Sequence, residues 1–193
     1  MHKHRVYDMA MDAQKSKRIK IIKFIIGGLL VGFSGYRFID IASVSPFWAT
    51  HPGIAVLVIG IVNIFQGILS KGDSKMTRTI ETGIGISGIV VGLFAYAYIT
   101  DTSSMLSWLI SLFLIIQSVG FIVTGFTQSG KSKAIRIPKI IIGAGIIITL
   151  TGSFFVYHDL PITLITILLT INLFIIGMEI ITSAISHKIA KRS

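Results

Sequence analysis

Residues 125–132, GFTQSGKS, fit G-x-x-x-x-G-K-[ST], the pattern in which backbone N–H groups cradle phosphates. Residues 83–88, GIGISG, fit G-x-G-x-x-G, with Asp101 following 18 residues after Gly83. Both fail on context. A phosphate loop joins a buried strand to a helix whose N-terminus receives the phosphates, and its magnesium needs an acidic partner. GFTQSGKS instead closes an apolar run of helical length, and the next acidic residue, Asp159, lies beyond a further apolar run. The glycines of a dinucleotide fold must turn a strand into a helix, whereas 83–88 sit inside an apolar run. No nucleotide, nucleic acid or other cofactor is expected.

Glu179 lies inside a long apolar segment. A carboxylate at membrane depth is costly and marks a functional candidate. Two readings stand: it carries transport through a polar path, or it faces the bundle near the interface and is satisfied by hydroxyls or water. Asn63, Gln66, Gln117 and Asn172 are intramembrane amides, suited to interhelical hydrogen bonds or to lining a pore with Glu179. Glu81, near the start of an apolar segment, complements a helix dipole there. Arg37 and Asp40 are three apart and pair on one helix face near the outer interface. His51 and His158 lie toward the outer side and, with the aspartates there, offer an acid-sensing reading, since histidine is the side chain that titrates near neutral pH; no ligand spacing supports a metal site. There is no cysteine, which removes thiol catalysis and thiolate metal sites.

These residues are scattered through a chain that is 52% hydrophobic and 13% charged over 193 residues, with mean hydropathy +0.82. Soluble domains carry about 25% charged residues. A helix needs about 20 apolar residues to cross the hydrocarbon core. Six segments qualify: 22–42, 52–70, 80–99, 106–127, 138–157 and 161–186. Pro52, Pro138 and Pro161 each stand at a helix start, where the missing N–H costs nothing, and six straight helices follow. Residues 1–19 form a cytoplasmic interfacial helix or tail, with no cleavage site after the first apolar run. Residues 188–193 form a basic tail.

Orientation comes from charge. Of the 18 Lys and Arg residues, 17 flank the segments on one side, leaving Arg37 toward the other. Cytoplasmic loops carry the basic excess, so both termini are assigned to the cytoplasm of an integral, multi-pass cell-membrane protein. The net charge of +10 is therefore a topology signal. The connections on the other side, 43–51, 100–105 and 158–160, are too short for a domain, and Asp40, Asp101 and Asp159 lie near them as caps or solvated groups.

Windows 26–35, 83–92 and 143–152 align Gly28 with Gly85 and Gly145, and Gly35 with Gly92 and Gly152. Alternate segments echo the seven-residue spacing in Gly60 and Gly67, Ser118 and Gly125, and Gly177 and Ala184. Seven residues are two helical turns on one face, and small residues there let neighbouring backbones approach. The expected fold is all-α, six transmembrane helices as three tandem hairpins spanning about 20–72, 78–130 and 136–187. With SPFWATHPGIAVLVIGIVNIFQGIL, 45–69, as its closest local match, the chain resembles the HdeD-type short-repeat membrane proteins. That resemblance implies the fold and a place in stress or envelope physiology. The favoured expectation is a non-enzymatic integral membrane protein, with the bilayer and a homo-oligomer or membrane complex as partners. The competing expectation is a small transporter or channel built on Glu179. ATP retention by the purified chain, measured by filter binding, is expected to be absent; tight binding lost in Lys131→Ala would overturn the exclusion of nucleotide.

Overall fold

The computed structural model describes residues 2–42, 52–69, 74–97, 104–128, 133–157 and 161–186. They form α1 (His2–Ala42), α2 (Pro52–Leu69), α3 (Lys75–Ala97), α4 (Ser104–Thr127), α5 (Lys133–Tyr157) and α6 (Ile162–Ser186), with no strand among the described residues. Each helix contains a stretch long and apolar enough to span a bilayer. The fold is all-α and the chain is an integral, multi-pass membrane protein.

Three boundaries differ from expectation, one being the start of α3 at Lys75 rather than 80. Helix α1 runs unbroken through the polar N-terminal residues, although its apolar span is Lys17–Ile39. No Gly or Pro occurs between His2 and Ile26, so nothing local stops the helix. Helix α5 begins at Lys133, leaving Pro138 inside it rather than at its start. Only the first four N–H groups of a helix lack an internal partner, so Pro138 forfeits one bond in the second turn. Elsewhere the ends follow local chemistry. The Ser74 hydroxyl oxygen accepts the Thr77 N–H at 3.1 Å, capping α3, and the Pro161 carbonyl accepts the Ile165 N–H at 3.2 Å.

The chain divides into two units, residues 36–172 and residues 1–35 with 173–193. In the first, α2 and α3 run antiparallel along a seam of glycines. A Cβ built on Gly60 would stand 2.6 Å from the Ile89 nitrogen and 2.8 Å from the Gly85 carbonyl oxygen. One on Gly85 would meet the Gly60 carbonyl oxygen at 2.7 Å, and one on Gly92 the Leu57 nitrogen at 2.7 Å. Gly67 closes the seam against Thr82 and the Arg78 carbonyl. Helices α4 and α5 repeat the arrangement: Gly143 faces the Ser118 carbonyl oxygen at 2.6 Å, and Gly125 faces the Arg136 carbonyl oxygen at 3.1 Å. In the other unit, α1 and α6 meet where Gly27 faces the Gly177 carbonyl oxygen at 2.8 Å and Gly177 faces that of Gly27 at 3.0 Å.

This corrects the glycine register. Among the described residues, Gly28, Gly35, Gly145 and Gly152 have nothing within 4 Å of a built Cβ outside their own helix backbone. The seams use Gly27, Gly85 and Gly143, each 58 positions from the next. One residue turns a helix by about 100°, so the neighbouring glycine of a Gly-Gly or Gly-Ala-Gly run points elsewhere.

The seam sets a contrast between two substitutions. Gly85→Leu must push backbone against backbone and is expected to cost about 2 kcal/mol or more, lowering the unfolding temperature in detergent. Gly145→Leu is expected to leave that temperature near wild type, and equal losses in the two variants would refute the register.

Candidate functional site

Among the described residues every helix carries a buried polar side chain, and α4 carries the most, Ser111, Gln117, Ser118 and Thr124. Thr77 and Glu81 lie one turn apart on α3, both buried. The Thr77 and Thr127 hydroxyls are 3.4 Å apart, and Gly120 packs against Ile84. With α3 and α4 antiparallel, these two contacts place Glu81 across from the α4 turn that carries Phe121 and Thr124. From α5, the Lys139 ammonium lies 6.0 Å from the centre of the Phe121 ring, the outer limit of a cation–π contact. An acidic and a basic side chain, 6% and 3% exposed, thus reach the same turn of α4 from two helices. Thr124 and Gln128, one helical turn apart, are buried beside that level. Buried charges are retained only when paired or hydrogen-bonded, and in a membrane they mark function by default.

Sequence reasoning missed this layer. It treated Glu81 as a dipole partner at a helix start and Lys139 as one of the flanking cytoplasmic charges. Glu81 is instead the seventh residue of α3, and the early start of α5 places Lys139 in its second turn. The available signal was the 58-residue offset that links Gly67 to Gly125. It also links Arg78 to Arg136 and Glu81 to Lys139.

The amides behave differently from one another. Gln117 Nε2 donates to Asn172 Oδ1 at 3.2 Å, joining α4 to α6 with both side chains fully buried. Gln117 Oε1 and Asn172 Nδ2 have no hydrogen-bond partner among the described residues. Asn63 is buried on α2, its Nδ2 also without a hydrogen bond among those residues, and Gln66 is half-buried on the same helix. Glu179 is half-buried on α6, in the unit formed with α1. The structure thus brings Gln117 to Asn172.

Arg37 is fully buried, two residues before the end of the Lys17–Ile39 span. Gly27, Leu30, Ser34 and Arg37 recur at three- and four-residue spacing and form the buried stripe of α1. The Asp40 side chain, Asp101, Asp159, His51, His158, Gly130 and Lys131 lie outside the described residues. Most buried hydroxyls bond back to their own helix: Ser118 to the Leu114 carbonyl at 2.6 Å and Thr170 to that of Thr166 at 2.7 Å. Among the described residues, no three His, Asp or Glu side chains gather as a metal site.

The stretch resembling a phosphate loop begins inside α4. Arg136 Nε donates to the Gly125 carbonyl at 2.9 Å and Arg136 Nη2 to that of Phe126 at 3.3 Å. Arg78 Nε makes the same bond to the Gly67 carbonyl at 3.0 Å. Carbonyls at a helix C-terminus lack internal partners, and each arginine supplies one from the start of the next helix.

A double-mutant cycle on Gln117→Leu and Asn172→Leu in detergent unfolding is expected to give a coupling of about 0.6 kcal/mol, the usual worth of such bonds in membranes; additive losses would show that the amides do not act together. No family model, curated protein or solved structure matches the chain.

Proposed function

We propose that the chain is a non-catalytic integral membrane protein of the HdeD-like, tandem-hairpin kind, working as a packed helical element in stress or envelope physiology, alone or within a membrane complex. The observation that carries this reading is the use to which polar atoms are put. Gln117 bonds Asn172 across helices, Arg78 and Arg136 bond helix-terminal carbonyls, and buried hydroxyls bond their own helices. Such groups tie helices together and leave few donors to line a path. Recurrence of glycine, arginine and charged positions at a 58-residue offset supports the tandem repeat, and the one-sided basic residues support cytoplasmic termini in the cell membrane.

A second reading, a small transporter or channel, is favoured by Glu81 and Lys139 on one α4 turn. It moves the charge-bearing role from Glu179 to Glu81. Proteoliposomes of the full chain, loaded with pH- and cation-sensitive dyes, separate the two readings. The first expects flux no greater than that of empty liposomes. Flux in the wild type that falls at least about tenfold in Glu81→Gln would sink it and establish the second.

A further inference from the structure

We propose that the two arginine-tied helix junctions, Lys75/Arg78 at α2–α3 and Lys133/Arg136 at α4–α5, are binding sites for the phosphate of an anionic phospholipid. The two junctions are alike in detail. Each has a lysine as the first residue of a helix and an arginine three positions on. In each, Nε of the arginine is held by a glycine carbonyl of the preceding helix, at 3.0 Å for Gly67 and 2.9 Å for Gly125. That bond fixes the guanidinium plane and does not consume it. Among the described residues Arg78 makes no other hydrogen bond, and Arg136 adds one, to Phe126. Their remaining N–H donors form a planar fork of the kind that matches phosphate oxygens.

Position and charge argue for a lipid. Lys75 and Lys133 are exposed and the two arginines half-exposed. All four stand at or beside the ends of the membrane-spanning stretches, where headgroups lie. Residues i and i+3 share a helix face, so lysine and arginine present their charge together. No acidic residue occurs between Asp101 and Asp159, so the second junction draws no local acid from its own stretch of sequence. Basic notches between membrane helices suit anionic headgroups. The spacing recurs at Lys17 and Lys20 on α1, 58 positions before Lys75 and Arg78.

The test uses the full chain in mild detergent, with phosphatidylglycerol or phosphatidylcholine added and retained lipid read by native mass spectrometry. Preferential retention of phosphatidylglycerol is expected. Lys133→Gln, which leaves the arginine–carbonyl bonds untouched, is expected to weaken that retention about fivefold, one surface charge near a membrane being worth about that factor. The Lys75→Gln/Lys133→Gln double variant should weaken it further at unchanged unfolding temperature. Equal retention of the two lipids by the wild type, which needs no variant to fold, would overturn the proposal, as would wild-type retention by the double variant. Inorganic phosphate displacing phosphatidylglycerol at matched ionic strength would overturn the lipid assignment in favour of a soluble phosphate ligand.

Discussion

Lipid tails are as apolar as leucine, so burying apolar side chains gives membrane helices little reason to associate. Close backbone approach supplies the attraction instead, and only glycine permits it here. Where Gly60 meets Gly85 and Gly88, any side chain would stand inside the neighbouring main chain. The same condition recurs at Gly143 beside Ser118 and, within the α1–α6 unit, at Gly27 beside Gly177. Dispersion between closely packed atoms, small per pair and large in sum, then holds each helix to its neighbour.

Polar groups are placed around this packing. A bilayer offers no water to an unsatisfied carbonyl, so the ends of α2 and α4 are finished by arginines from the following helices. Those arginines do two things at once. They close a helix terminus, and they hold a guanidinium at the membrane edge. Deeper in, Glu81 and Lys139 share the level of one α4 turn. Sparse polar contacts of this kind specify partners and register more than they add stability.

The functional reading follows from that economy. A conducting path needs polar atoms that face a lumen, whereas most of those seen here face carbonyls or each other. Glu81 and Lys139 are buried charges that reach one α4 turn from two helices, and the second, transport reading rests on them. The membrane edge presents a different surface, where repeated lysine–arginine pairs meet anionic headgroups.

Much of this was legible without coordinates. Six apolar segments at membrane length, the one-sided basic residues and the absence of cysteine follow from composition and order alone, because spanning length and charge bias are properties of the chain in one dimension. The helix starts at Pro52 and after Pro161 were legible for the same reason. What the chain in one dimension does not contain is rotation. Gly27 and Gly28 are equivalent as letters, yet a turn of about 100° sends one into α6 and leaves the other with nothing within 4 Å of a built Cβ among the described residues. Glu81 and Glu179 are likewise the same residue type at comparable distance from a helix end, yet tertiary packing buries the first and leaves the second half-exposed. The sequence alone determined how many helices cross and which residues they carry. Tertiary structure alone decided which face of each helix meets another, because that depends on backbone clearance between segments far apart in the chain.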